Sequence, residues 1–252
     1  MEAVARIAAI LRFLASSGSR GARLSDIAGS TFLAKSTTHR LMQSLLDERL
    51  VKRHPRTGYY QLGDDIALLG HSVSANALEI HRIAIPIVQT VADLTGDTAY
   101  LSVRSGLESV CVERCFGPFP IKTLTIDTGS RRPLGVGAGG LAILSALSDH
   151  EINHIMADIL PSLDQYPGFA APVIPKLIAE TRKRGYSFSD GQIAAGVRGL
   201  GVAVLNSARE PVGALSIASI SSRIAGKRVD RLLQILFEQK ANLERLVRNA
   251  GF

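Results

Sequence analysis

Apolar residues recur at helical spacing from the start of the chain. Val4, Ile7, Ile10, Leu11 and Leu14 follow the i, i+3, i+4, i+7 rule, which predicts one apolar face of a first helix. The glycine-containing stretch "SSGSRG" follows and indicates where this helix ends. The sequence therefore begins with an amphipathic helix that can pack against other elements on one side.

Two further helices are predicted close behind the first. Ser25 is a good N-cap residue, so we expect a second helix to begin there and to break in "GSTFL" after Ala28. A third helix is expected over residues 36–49. Its inner face should comprise Thr38, Leu41, Met42 and Leu45. Two helices joined by a tight turn predict a helix-turn-helix, whose second helix can enter the major groove of DNA.

A basic hairpin is predicted directly after the third helix. Residues 50–54 and 59–62 read as short strands, with Pro55 and Gly58 placed for the turn between them. Donors on the third helix suit base edges, and hydroxyl groups and hairpin cations suit phosphates. The hairpin is thus interpreted as the wing of a winged helix. The residues expected to contact DNA are Ser25, Lys35, Ser36, Thr37, His39, Arg40, Gln43, Lys52, Arg53, Arg56 and Tyr59.

The positive charge of the chain is concentrated in this region. Residues 1–62 hold ten Lys and Arg against four Asp and Glu, a balance of +6 out of the total of +7. Residues 63–252 hold the remaining nineteen against eighteen, a balance of +1. This asymmetry favours a domain that faces a polyanion, although a solvated basic surface would give the same count.

The rest of the chain is predicted to form a linker and a second domain. Asp64 and Asp65 favour the start of a linker helix with apolar residues at Ile66, Leu69 and Val73, followed by a helix over about 76–94. Three segments are expected: a winged helix-turn-helix over 1–63, a linker helix over 64–82, and an effector-binding and oligomerisation domain over 83–252.

Strand and helix patterns alternate after residue 97. "TAYLSV", "SVCVER", "IKTLTI", "LGVAVLN" and "VGALSIAS" are predicted to be strands, and "GLAILSAL" is predicted to be helical. In "SDHE", Ser148 and Glu151 form a capping box that opens another helix. The expected fold class is α+β, with an N-terminal winged helix-turn-helix and a C-terminal α/β domain built on a central antiparallel sheet.

Cysteine content and hydropathy indicate the cellular compartment in which the protein is expected. Cys111 and Cys115 are the two cysteines, and on a regular strand both would lie on one face as small buried residues, without forming a zinc site. No apolar run reaches the roughly 18 to 20 residues that a membrane helix needs. Arg6 and Arg12 interrupt the apolar start, so no signal peptide is expected. These features favour a reducing cytoplasm and no membrane association.

Three stretches make the chain resemble the IclR family of bacterial transcriptional regulators over nearly its whole length. They are "LSDIAGSTFLAKSTTHRLMQSLLDERLVKRHPRTGYYQLG", "RRPLGVGAGGLAILSALSDHE" and "RGYSFSDGQIAAGVRGLGVAVLNSAREPVGALSIAS". The resemblance implies a GAF-like effector-binding domain, a homodimer or dimer of dimers, and neither catalysis nor a cofactor. The expected partners are double-stranded operator DNA and a small organic or aromatic acid, with repression the expected mode.

The resemblance also implies where the effector binds. Relatives that bind small keto acids have cysteine at the position of Gly199 and serine at that of Ala218, and the family often has histidine at Gly135 and lysine at Leu141. The smaller, less polar residues here predict an acid larger than a two- or three-carbon keto acid. The expected effector-binding residues are Gly135, Val136, Gly137, Ala138, Gly139, Asp190, Gly199, Ser216 and Ala218.

Three alternatives compete with this interpretation. "GVGAGG" at 135–140 matches G-x-G-x-x-G, but "DTGSRRPL" before it is a poor strand for a dinucleotide site. Its glycines can instead give a ligand access to a helix start or simply allow close helix–sheet packing. "HEINH", with His150, Glu151 and His154, matches the H-E-x-x-H motif of zinc proteases, although the capping box already accounts for Glu151. A DNA-binding architectural protein with a ligand-free second domain is the third alternative.

Overall fold

Four helices and a two-stranded hairpin form the N-terminal part of the protein. The computed structural model describes residues 3–72 and 75–251, and the chain divides into two units, Met1–Ala75 and Asn76–Phe252. The elements of the first unit are α1 (Ala3–Ser16), α2 (Leu24–Thr31), α3 (Lys35–Asp47), β1 (Val51–Arg53), β2 (Tyr60–Leu62) and α4 (Asp64–Ser72). Strands β1 and β2 pair antiparallel, as the turn residues predicted.

The core of this unit explains the helical pattern of the sequence. Ile10 and Leu14 from α1, Ile27 from α2 and Met42 from α3 are almost fully buried in one cluster. The predicted inner face of α3, with Thr38, Leu41, Met42 and Leu45, is buried as a whole. Val4, in contrast, is 76% exposed, so the apolar face of α1 extends beyond the core of its own unit.

Helix α2 differs from its prediction at both ends. Its N-cap is Arg23 rather than Ser25, because the Asp26 carboxylate accepts the Arg23 backbone N–H at 3.1 Å and the helix starts two residues earlier than predicted. The helix also continues past Ala28 to Thr31 and ends at Phe32, which adopts a left-handed backbone conformation. The polar "GST" stretch therefore belongs to the helix.

The second unit is built on one six-stranded antiparallel sheet. Its strand order is β5-β4-β3-β8-β7-β6, and β7 and β8 pair antiparallel as predicted. None of the helices within 3–72 and 75–251 is both long enough and apolar enough to cross a membrane. The elements are α5 (Ala75–Thr95), β3 (Thr98–Ser105), β4 (Glu108–Phe116), β5 (Arg131–Pro133), α6 (Gly137–Ser145), α7 (Asp149–Leu163), α8 (Ile174–Arg184), β6 (Ser187–Asp190), β7 (Val197–Leu205), β8 (Pro211–Ile220) and α9 (Lys227–Asn249). Val73, assigned to the apolar face of the linker, lies outside the described residues.

The two faces of the sheet carry side chains of different size. Large apolar residues such as Leu200, Val202 and Leu215 form a core cluster with residues of α5 and α9 on one face. On the other face the alternate positions are small, including Gly199 and Gly201, and α6 lies against them. This asymmetry lets the first turn of α6 approach the strands closely.

The predicted strand "IKTLTI" is wrong, and two short strands were missed. Residues 117–130 form a loop, and the carbonyls of Thr123, Thr125 and Ile126 accept hydrogen bonds from side chains. The Tyr100 hydroxyl donates to the carbonyl of Thr123 at 2.6 Å, and Arg114 Nη1 donates to that of Ile126 at 3.0 Å. The stretch thus has strand-like composition without a neighbouring strand, while β5 and β6 are edge strands of three and four residues.

A β-bulge places the two cysteines on opposite faces of the sheet, so the prediction of a shared face is wrong. The pairing of β3 with β4 shifts by one residue between Leu101 and Ser102. Cys115 pairs with Ala99 and joins the apolar cluster, whereas Cys111 pairs with Ser102 on the α6 side. Both thiols are buried, and burial raises the pKa of Cys111 to about 12, so this thiol is neutral at physiological pH.

A single buried carboxylate joins the ends of several elements. Asp97, which follows α5, has a side chain with no solvent exposure. It accepts hydrogen bonds from Arg223 Nε at 2.6 Å, Arg228 Nη2 at 2.7 Å and Ser219 Oγ at 2.7 Å. Because these donors lie at the end of β8 and around the start of α9, the carboxylate holds α5, the sheet and α9 together.

Candidate DNA interface and effector cavity

The outer face of α3 presents a row of unburied polar side chains. Lys35, Ser36, His39, Arg40 and Gln43 are exposed, and Thr37 is partly buried at the first turn. Gln43 Nε2 donates to Asp47 Oδ1 at 3.2 Å, one turn later on the same face. The free N–H groups of the helix start and these donors suit phosphates and base edges respectively.

The wing residues are tied to their own unit. Arg53 Nε donates to the carbonyl of Gly58 at 3.0 Å and closes the hairpin turn. Lys52 Nζ forms an exposed ion pair with Asp64 at 2.5 Å, and the Tyr59 hydroxyl accepts from Arg23 Nε at 2.9 Å. Arg23 also lies over the Tyr59 ring, and the sequence analysis did not single it out. Arg56 at the turn remains exposed, and Ser25 is exposed beside Asp26.

A cavity of about 60 Å³ opens between the start of α6, the small-residue face of the sheet and loop 117–130. Seven of the nine predicted effector-binding residues line it: Val136, Gly137, Ala138, Gly139, Gly199, Ser216 and Ala218. The other two do not. A Cβ on Gly135 would point at the side chains of Leu144 and Ile174 in the core, and Asp190 is held outside in a two-pronged ion pair with Arg198.

Arg132 is the feature of the cavity that the sequence analysis missed. Its guanidinium lies about van der Waals distance from the start of α6, since a Cβ on Gly137 would be 3.4 Å from Nη1. Nη2 donates to the carbonyl of Thr125 in loop 117–130. Among residues 3–72 and 75–251 it has no carboxylate within ion-pair distance, and partial burial lowers its pKa. A guanidinium remains charged at neutral pH despite such a shift.

The second cation at the cavity is already neutralised. Arg198 donates from Nε and Nη2 to the two carboxylate oxygens of Asp190, at 2.7 and 3.0 Å. The hydrogen bond from Arg198 lowers the pKa of Asp190, so the pair stays ionised. In the part of the chain that is described, no aspartate or glutamate lines the cavity, which leaves the charge of Arg132 uncompensated.

Serine hydroxyls lie under the first turn of α6. A Cβ on Gly139 would lie 2.8 Å from Ser102 Oγ, and one on Gly140 would lie 2.9 Å from Ser109 Oγ. The two glycines are therefore required for close helix–sheet packing, as one of the sequence interpretations proposed. The cavity residues not found from sequence include Tyr100, Ser102, Ser109, Thr125 and Arg132.

The absence of a side chain at Gly199 allows α6 to pack closely on β7, and it adds little space to the cavity. A Cβ at this position would lie 3.2 Å from the Cβ of Ala138, which is tighter than ordinary van der Waals contact. Ala218, its neighbour across β7 and β8, faces the same cavity. A larger side chain at Gly199 would disturb the packing of α6, whereas one at Ala218 would fill the cavity. Ala218 is therefore the better position at which to test whether a ligand occupies the cavity.

The two enzyme-like motifs have structural roles. Glu151 forms the predicted capping box with Ser148, and its carboxylate also accepts from Arg104 Nη1 at 3.1 Å. That bond lowers the pKa of Glu151. The rings of His150 and His154 stack edge to face, with centroids 4.6 Å apart. "GVGAGG" begins α6 after an antiparallel edge strand, not within the βαβ unit of a dinucleotide site.

Two family models match the chain. The model described as bacterial transcriptional regulator IclR C-terminal matches residues 73–244, and the IclR helix-turn-helix domain matches residues 3–55. The transcriptional repressor IclR of Escherichia coli K12 is 27% identical over 234 residues, covering 91% of this chain and 84% of that protein. The matched models and relatives are transcriptional regulators rather than enzymes, as the sequence predicted.

Solved structures show the same fold. An IclR transcriptional regulator from Alicyclobacillus acidocaldarius is 25% identical with a TM-score of 0.74, covering 96% of this chain and 97% of its own. An IclR homologue from Microbacterium hydrocarbonoxydans, solved in complex with 4-hydroxybenzoate, is 23% identical with a TM-score of 0.73, covering 97% and 99%. The helix-turn-helix, the antiparallel α/β domain and the two family matches agree, and the chain belongs to the IclR family of bacterial transcriptional regulators.

Proposed function

We propose that this protein is a cytoplasmic repressor whose affinity for operator DNA is controlled by an organic acid bound in the α6 cavity. Helix α3 and the wing contact the operator, and the carboxylate of the effector lies at Arg132 and the first turn of α6. The observation that carries the proposal is the uncompensated charge of Arg132 inside the cavity.

Electrostatics favour an anionic ligand over a neutral one. A partly buried guanidinium is poorly solvated, so a carboxylate that pairs with it gains more free energy than it would in water. The N-terminus of α6 adds free N–H groups and the positive end of the helix dipole on the same side. The serine hydroxyls under α6 can donate a hydrogen bond to a further polar group of the ligand or accept one from it.

The cavity also limits the size of the effector. Its volume is about 60 Å³. One water molecule needs about 10–15 Å³ of such volume, so the cavity has room for several waters. A compact aromatic or branched acid fits this space with a small widening of loop 117–130, and 4-hydroxybenzoate, bound by the Microbacterium relative, is a suitable first probe. We retain the expectation that glyoxylate and pyruvate bind weakly.

A two-step experiment tests this function. Operator DNA is first selected from random duplexes with the full-length protein, and a panel of organic and aromatic acids is then screened by thermal shift and by gel shift on that operator. At least one acid should raise the melting temperature and also change operator affinity. A chain that selects no sequence would refute the regulator, whereas neutral ligands acting in place of acids would refute only the effector class.

Arg40 on α3 is expected to read the operator. Arg40→Ala should weaken operator binding by about 1–3 kcal/mol and relax the sequence preference, because a guanidinium that contacts a base edge discriminates between bases. Lys52→Ala and Arg53→Ala are the matched comparison: they should weaken binding to all duplexes and flatten its salt dependence. Unchanged operator affinity of Arg40→Ala in a quantitative gel shift would show that α3 is not the reading element.

The regulator is expected to bind DNA as a twofold dimer or a dimer of dimers. Val4 on α1 and Leu69 on α4 are apolar residues that remain 76% and 57% exposed, more than a single winged domain needs to leave uncovered. A selected operator should then be near-palindromic, with half-sites spaced by whole helical turns. Light scattering at micromolar concentration, with and without operator, checks the mass, and a monomer in both would contradict the prediction.

A further inference from the structure

Phe32 occupies the turn of the helix-turn-helix in a conformation that its side chain disfavours. Its φ is +53°, in the left-handed region that usually selects glycine, and its backbone N–H caps α2 by donating to the carbonyl of Gly29 at 3.4 Å. The ring gains nothing from the core, because the residue is 95% exposed. An aromatic residue here therefore costs backbone strain that burial of its ring does not offset.

The neighbours of Phe32 show which way the turn faces. Leu33, the next residue, is partly buried against the core cluster of the unit, whereas Lys35 and Ser36 at the start of α3 are exposed. The ring is thus outside the core at the turn that leads into the polar face of α3. In helix-turn-helix proteins the N-terminal residues of the second helix contact base edges, so this turn lies at the rim of the major groove.

We propose that the ring of Phe32 contacts a thymine methyl group in the operator and so reads sequence at a position that the polar residues of α3 do not reach. The C5-methyl of thymine is the one apolar group that the major groove displays, and apolar side chains recognise it by contact. Strain retained at an exposed residue points to a functional contact made outside the folded chain. The inference rests on operator binding through α3.

Three substitutions separate the ring from the backbone. Phe32→Ala removes the ring and keeps the strain, Phe32→Gly removes both, and Phe32→Tyr retains an aromatic ring. Loss of a buried phenyl contact should weaken operator binding by about 10- to 100-fold in Phe32→Ala and Phe32→Gly. Affinity for random duplex should stay unchanged, Phe32→Tyr should bind the operator almost as the native chain does, and Phe32→Gly should melt at or above the native temperature.

Arg209→Gly is the matched control for backbone strain. Arg209 has φ +63° in the exposed turn between β7 and β8, so its replacement relieves the same kind of strain in the other unit. Its operator affinity should equal that of the native chain. If the Phe32 variants also bound the operator as the native chain does, the ring would not be a DNA contact and the proposal would fail.

The thymine is identified by removing its methyl group. Deoxyuridine replaces each thymine of the selected operator in turn, and gel shifts are run with the native chain and Phe32→Ala. One replacement should weaken native binding about fourfold, the value of one buried methyl group, and should not affect Phe32→Ala. Equal effects on both proteins at every thymine would overturn the proposal. A native chain that selects no operator would instead refute the proposed function itself.

Discussion

Replacing Arg132 with alanine is expected to weaken binding of the acid effector by about 100-fold, or roughly 3 kcal/mol, because it removes the partner of a partly desolvated charge. Operator affinity measured without effector should not change, since Arg132 lies in the second unit and α3 in the first. Isothermal titration of an acid found by the screen gives the first quantity, and a gel shift without effector gives the second.

Two comparisons make this result specific. Arg132→Lys retains the charge but loses the planar fork, so its effector affinity should lie between those of the native chain and the alanine variant. Ala218→Leu keeps Arg132 but fills the cavity, so it should abolish effector binding and with it the effect of the acid on operator affinity. Arg198→Ala should matter less, because the charge of Arg198 is already paired with Asp190. Native effector affinity in Arg132→Ala would place the carboxylate elsewhere.

Asp97→Ala is expected to lower the free energy of unfolding of the second unit by about 3 kcal/mol. Removing one member of a buried ion pair leaves its partners uncompensated, which typically costs about 3–5 kcal/mol. The lower end applies because Arg223 and Arg228 keep 24% and 30% side-chain exposure and can regain some water. Urea unfolding followed by circular dichroism measures the change.

Asp149→Ala is the control for this experiment. Asp149 also pairs with an arginine, Arg182, at 2.6 Å, but its side chain is 80% exposed. An exposed ion pair of this kind contributes about 0–1 kcal/mol, so the urea midpoint should move little. Equal destabilisation by the two substitutions would show that burial of Asp97 is not what gives the network its strength.

The sequence predicted best what depends on short-range patterns. The buried face of α3 follows from residues three and four positions apart, and the capping box at Ser148 and Glu151 is a contact within one turn. The prediction of Ser25 as N-cap was wrong by two residues, because the Asp26 carboxylate accepts the backbone N–H of Arg23 and makes Arg23 the N-cap. Such competition between neighbouring caps is decided by energies too small to read from composition.

The parts that could not be predicted depend on distant partners. Arg132 becomes a cavity residue only because β5 pairs at the sheet edge and loop 117–130 folds over it. The stretch "IKTLTI" has strand composition, yet two of its carbonyls accept hydrogen bonds from the side chains of Tyr100 and Arg114. The bulge beside Leu101 reverses the face of every residue on one side of it, and no local pattern marks it.

The close packing of α6 on the sheet has a consequence for how effector preference can change during evolution. A Cβ at Gly201 would lie 2.6 Å from the backbone carbonyl of Ala138, and one at Gly139 or Gly140 would lie under 3 Å from a buried serine hydroxyl, so a side chain at any of these positions forces α6 or the sheet to shift. Loop 117–130 carries no such constraint at the exposed Ile121 and Leu124. Divergence among relatives with different effectors should therefore accumulate in loop 117–130 and at lining positions such as Ala218, while the residues in closest contact with α6 change least.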